Sequence, residues 1–143
     1  CKTIIKKDLL KVFVPFSMQV SSNEFQSYIR QAIEHTWRRE AKELLPTRTA
    51  ELAKTHGFEY AKVSIRNSKT RWGSCSYNNN INLSLHLMML PNDLIDYVII
   101  HELAHIIVPN HSKNFWNLVR EKDSQYLKKK NWLKENGAPL IRF

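Results

Sequence analysis

Apolar and polar positions recur with two periods along the chain, and the changes of period mark its elements. From 24 to 54, Phe25, Tyr28, Ile29, Ile33 and Trp37 follow one another at three- and four-residue steps, the spacing of one helix face. Leu44, Leu45, Leu52 and Ala53 carry the pattern on, with a break expected at Pro46, which has no amide hydrogen to give a helix. Ser21, Ser22 and Asn23 offer N-terminal caps, and Gly57 a C-terminal stop.

Shorter alternations flank this helical stretch. Residues 9–16, LLKVFVPF, read as a strand that Pro15 confines to a sheet edge or end. Tyr60, Lys62, Ser64 and Arg66 alternate with Ala61, Val63, Ile65 and Asn67, which predicts a strand. The segment 73–80 is turn-rich. Ile81, Leu83 and Leu85 then alternate with Asn82, Ser84 and His86 as a second strand. Pro91 stands at a helix start. The run 94–108 is apolar on nearly all sides except at His101, Glu102 and His105, as befits a central, buried helix. A last helical region follows Ser112, with a close expected at Asn136-Gly137. No internal repeat or low-complexity segment interrupts the pattern.

Composition narrows the class. A chain of 143 residues with 43% apolar residues suits a single domain over 1–143 and can bury a core. The net charge of +9 permits nucleic acid or acidic proteins as partners, or serves solubility alone. The basic residues are dispersed, and only Lys128, Lys129 and Lys130 form a run. Two cysteines, Cys1 and Cys75, make no disulfide framework, so a reduced, cytoplasmic setting is expected. No window is apolar for long enough to span a bilayer, nothing at the start resembles a signal peptide, and no membrane partner is expected.

The candidate chemistry is concentrated in His101-Glu102-Leu103-Ala104-His105, an HExxH pattern. On a helix, residues four apart differ by about 40° in azimuth and about 6 Å in height, so the two imidazoles can share one ion. Zn²⁺ accepts neutral imidazole nitrogens at about 2.0–2.1 Å, and a catalytic zinc keeps three protein ligands and an open position. Glu102 stands where it can take a proton from the attacking water as general base. Val108-Pro109-Asn110 should end the helix and turn the chain back, letting His111 approach as third ligand. The spacing HExxHxxxxxH matches that of metzincins, yet Val108 replaces their glycine and no Met-turn follows, so a different clan with the same ligand geometry is expected. A later acid such as Glu121 is the alternative third ligand. The plainer reading makes His101 and His105 satisfied core histidines, but it leaves Glu102 in an apolar helix without purpose, at a cost for an acid.

Four stretches carry a family resemblance: 70–76 (TRWGSCS), 80–83 (NINL), 97–105 (YVIIHELAH) and 111–116 (HSKNFW). Together they resemble the YgjP-like metal-dependent hydrolases, which are related in fold to SprT-like and minimal gluzincin peptidases. The likeness extends roughly over 25–137. It implies zinc, hydrolysis and an α+β, zincin-like fold: N-terminal helices, a small, mostly antiparallel sheet, a buried HExxH helix and a C-terminal helix. Members often carry more sheet ahead of the first strand, so 1–22 is expected to be the remnant of a longer β segment. His101, His105 and His111 match the ligands, and Glu102 matches the base. Arg71 and Trp72 match an RWGSC-like signature. Trp72 is expected in the core, while Arg71 either shapes the cleft and holds substrate or is a structural partner. Asn82 is a further candidate for substrate contact. Cys75 is expected to be inert, His86 to lie on the surface of its strand, and Phe115 and Trp116 to hold His111 in place.

The activity expected is cleavage of a peptide or protein, with an extended substrate pairing with strand 80–85 if that strand is a sheet edge. The alternative is a DNA-associated, SprT-like protease or a nucleic-acid-binding module with a metal site.

Overall fold

A computed structural model describes residues 1–6 and 9–141 of the chain. Strands β1 (Lys2–Lys6) and β2 (Leu9–Phe13) form an antiparallel hairpin, and α1 (Asn23–His56) follows. Next come β3 (Lys62–Arg66), β4 (Gly73–Cys75), β5 (Asn80–Ser84) and a short 3₁₀ helix, Leu85–Met89. Three helices complete the chain: α2 (Asn92–Ala104), α3 (Lys113–Lys122) and α4 (Tyr126–Ile141). The architecture is α+β, and no helix among the described residues is long and apolar enough to cross a membrane.

The local signals at the ends of α1 hold. The Ser22 side chain accepts a hydrogen bond from the Phe25 amide, and Gly57 takes a left-handed conformation at φ 74°. The break expected at Pro46 does not occur, and one helix replaces the predicted helices. Ala41, Leu45, Thr49 and Leu52 are buried on both sides of Pro46 against one core, so tertiary packing outweighs the missing hydrogen bond. A two-pronged ion pair, Arg48 to Asp96 at 2.7 and 2.8 Å, fixes the same half of α1 to α2.

Two of the three strand pairings are antiparallel, but the sheet beside the core is mixed. Its order is β3-β5-β4, with β3 parallel to β5. Strand β5 is therefore central, not an edge, and its ladder partners already occupy both sides. Ile81 and Leu83 point into the core, while Asn82 lies on the opposite face. The expected turn 73–80 contains β4 and a tight reversal, which Asn79 makes at φ 61°, a conformation asparagine tolerates.

Helix α2 buries nine of its thirteen residues. Ile99, Leu103 and Ala104 have no exposed surface, as the apolar run predicted. It gives way at His105, where amides of 105–108 bond to carbonyls of 102–104 and the chain turns toward His111. The close expected at Asn136-Gly137 is also absent, since α4 continues to Ile141. Gly137 serves packing instead: a Cβ there would lie 3.0 Å from the Trp72 indole nitrogen.

Candidate active site

His101 and His105 stand one turn apart on α2, and the 105–112 turn brings His111 in from outside the helix. The Nε2 atom of His111 lies 3.1 Å from that of His101 and 3.1 Å from that of His105. Two nitrogens bound to one tetrahedral ion at about 2.0–2.1 Å would sit about 3.3 Å apart, so the two separations at His111 suit a first-row cation. Among the described residues these three form the only His/Cys/Asp/Glu group close enough to hold a metal ion. Glu121 is exposed and stands outside it.

The rings are held from behind. His105 Nδ1 lies 3.1 Å from the Val108 carbonyl, which takes its proton and leaves Nε2 bare toward the cluster. Phe115 stacks on His105 with centroids 4.3 Å apart and meets His101 edge-on at 4.9 Å. Trp116 stacks on His111 at 5.8 Å and is itself covered by the Lys130 ammonium, 3.9 Å from its ring centroid. Phe115 and Trp116 thus hold His111, as expected, and the other two rings as well. Burial, reinforced by the neighbouring His105, His111 and Lys130, lowers the pKa of His101 to about 3. Burial also lowers that of His105. Both are neutral near pH 7, the form that binds cations.

Glu102 is buried, 7% exposed, and burial raises its pKa to about 8 against the opposing pull of Arg71. Its side chain lies against β4 at Gly73. A Cβ at that position would come within 2.9 Å of Glu102 Cγ and 3.2 Å of its Oε1. This cradle was not foreseen, although a glycine entering a strand often marks a close approach of another group.

Histidines and glutamate together line a cavity of about 720 Å³. Its other walls are Arg71, the β4 segment from Gly73 to Ser76, Tyr77, Asn79, Ile106 and Pro109. Arg71 is thus brought to the site. Asn82 is not: it lines an adjoining depression, where its amide donates to Ser74 Oγ at 3.3 Å and its carbonyl oxygen accepts from Arg66 Nε at 3.4 Å. Cys75 lines the main cavity, and burial followed by the charge of Glu102 pushes its thiol pKa up, which keeps it protonated and unreactive. Trp72 is half-buried against the core. His86 departs from its expected surface position. It lies fully buried in the 3₁₀ helix, with Nε2 2.9 Å from Asn67 Oδ1 and its ring edge-on to Trp37, and it lines none of the cavities around the histidines.

Two solved structures share the fold, both crystal structures of metallopeptidase zymogens. Jannalysin of Methanocaldococcus jannaschii is 20% identical, with a TM-score of 0.54 over 62% of this chain and 92% of its own. Abylysin of Pyrococcus abyssi is 23% identical, with a TM-score of 0.53 over 64% of this chain and 93% of its own. A search of curated protein sequences finds no match. The model of the YgjP-like, metallopeptidase domain family matches residues 7–136, which includes every residue of the cluster and its cavity. A metal-dependent peptidase is what that family implies, and the chain belongs to it: it is a YgjP-like metallopeptidase domain.

Proposed function

We propose that the protein is a zinc peptidase in which His101, His105 and His111 hold the ion and Glu102 is the general base. The observation that carries this reading is the convergence of three imidazole nitrogens, that of His111 lying 3.1 Å from each of the other two, beside a buried carboxylate in an open cavity. Three nitrogen donors without thiolate suit a catalytic rather than a structural zinc site. When bound, the ion lowers the pKa of a coordinated water and polarises the scissile carbonyl. Glu102 accepts a proton from the attacking water and returns it to the leaving nitrogen. Burial raises its affinity for that proton, and the Gly73 cradle fixes its direction.

The substrate strand we assign to β4. Its outer side carries no ladder partner in the order β3-β5-β4, and it borders the cavity. An extended peptide paired there would cross the histidines with an amide bond. Arg71, exposed at the rim, would hold a substrate carbonyl or carboxylate. Asn82 would contribute through Ser74, which it binds on that edge strand. The test is elemental analysis after zinc reconstitution. One zinc per chain is expected, with loss of binding in His101→Ala, His105→Ala and His111→Ala. A wild-type chain that retains no stoichiometric transition metal would refute the assignment.

A further inference from the structure

A second cavity, of about 380 Å³, opens onto His101, His111 and Glu102 but has different outer walls. Trp72, Tyr97, Trp116 and Leu133 give it an aromatic and aliphatic lining. Their positions are set by packing: Trp72 lies on Gly137, and Trp116 is stacked between His111 and Tyr126. Such a lining accepts a flat ring, whose burial is favourable and whose orientation the neighbouring rings define.

Three of its polar groups are cationic. Lys130 and Lys134 lie one turn apart on one face of α4, and Arg71 closes the side toward the main cavity. None of the three forms an ion pair among the described residues, whose salt bridges join Arg48, Lys69 and Lys129 to acids elsewhere. Glu102 is the only acid in the lining. Arg71 and Lys134 are exposed, so the charge lies at the opening and the rings lie within.

We infer that this cavity selects the substrate: it takes an aromatic side chain of the residue adjoining the scissile bond, with a carboxylate beside it held by Lys134 and Arg71. Aromatic ring and carboxylate are the complement of an apolar recess with a cationic opening. The carboxylate is either the chain end of the aromatic residue itself or the side chain of an acidic residue after it. The selection rests on the peptidase reading above, whereas the pocket's ligand chemistry does not.

Two measurements separate these claims. In the first, zinc-loaded protein is titrated with N-acetylphenylalanine, N-acetylphenylalanine amide and N-acetylalanine while the Trp72 and Trp116 indole signals are followed by NMR. N-acetylalanine has the same carboxylate and controls for binding to the ion. The phenylalanine acid should bind ~10-fold or more tightly than both others. Leu133→Trp should fill the recess and abolish that preference, and Lys134→Glu should remove the preference for acid over amide. Equal affinity for the phenylalanine and alanine acids, or an unchanged acid-over-amide preference in Lys134→Glu, would overturn the inference. Lys134 is exposed, so that variant remains informative even if Leu133→Trp fails to fold.

The second measurement is hydrolysis of matched peptides with Phe or Ala next to the cleavage point, ending in a free carboxylate, an amide, or Asp followed by an amide. Preference for Phe with the free end identifies the terminal carboxylate as the ligand, and preference for Phe-Asp identifies the acidic side chain. Cleavage without preference for Phe overturns the pocket and leaves the peptidase reading standing. Predicted binding without any cleavage supports the pocket and counts against the peptidase reading.

Discussion

The N-terminal hairpin and helix α2 are both rich in large apolar residues, and they place them in opposite ways. In the hairpin and the segment after it, Leu9, Phe13, Phe16 and Val20 are exposed, and a named tie to the rest is the 2.8 Å hydrogen bond between Thr3 and Tyr28. In α2, apolar residues meet α1, β4, β5 and α3 on all sides, and only the histidine face opens to a cavity. Apolar content alone therefore does not create a core. The difference lies in how many elements converge on one segment, and the candidate site stands where most converge. Metal-binding side chains need such fixed surroundings, because ligand rings free to rotate would lose the shared direction of their nitrogens.

Substitutions in the two regions sharpen this contrast, and the largest effect belongs to α2. Leu103→Ala, at a position without exposed surface, should destabilise the fold by about 2–5 kcal/mol, read as a fall in denaturant midpoint. A fall below about 1 kcal/mol would mean that α2 is not the centre of the core.

Next in size is a pH effect in metal-free protein. Glu102 has a folded pKa near 8 against an ordinary value of 4.5. Its contribution to stability is full below pH 4.5 and is lost as pH rises through 8, because ionisation then costs the folded state its buried environment. His101 acts oppositely: with a folded pKa near 3 against 6.5, it withdraws stability as pH falls below 6.5. Thermal melts of wild type and Glu102→Gln should diverge between pH 5 and pH 8, with the variant gaining on the order of 2–4 kcal/mol at the higher pH. A constant difference between the two would show that Glu102 is not buried as described.

A smaller change is expected at β4. Gly73→Ala puts a methyl group 2.9 Å from Glu102 Cγ and should turn the carboxylate aside. Peptide hydrolysis should drop ~10-fold or more with zinc content unchanged. The smallest effect is predicted for Phe13→Ser in the hairpin, about 0.5 kcal/mol or less by chemical denaturation. A larger loss there would mean that the hairpin is not the peripheral element its exposure suggests.

Much of this was legible in the residues themselves. His101 and His105 announce their shared helix face by spacing, Glu102 stands beside the first of them, and Val108-Pro109 announces the turn that returns His111. Ser22 and Gly57 mark helix ends because their chemistry is local. The misreadings concern long-range packing. Pro46 is carried through because both halves of α1 lie on one core, and Gly137 is small for the sake of Trp72, which is distant in sequence. Strand β4 has only three residues, Gly73, Ser74 and Cys75, too few and too polar for an alternation to register. Whether β5 is central or an edge depends on strand order, which no local pattern encodes. His86 looked like an outward strand residue, but the strand ends at Ser84 and the 3₁₀ turn rotates it into the interior.

The central claim is that a metal held by three histidines is served by Glu102 as a base and not as a ligand. Glu102→Gln preserves size and hydrogen-bonding shape while removing the proton acceptor, so zinc content and peptide hydrolysis should be measured together on this variant. The account predicts one zinc per chain, as in wild type, and a turnover lower by roughly 10²–10⁴. Hydrolysis of the same peptide at the wild-type rate, with zinc retained, would contradict it.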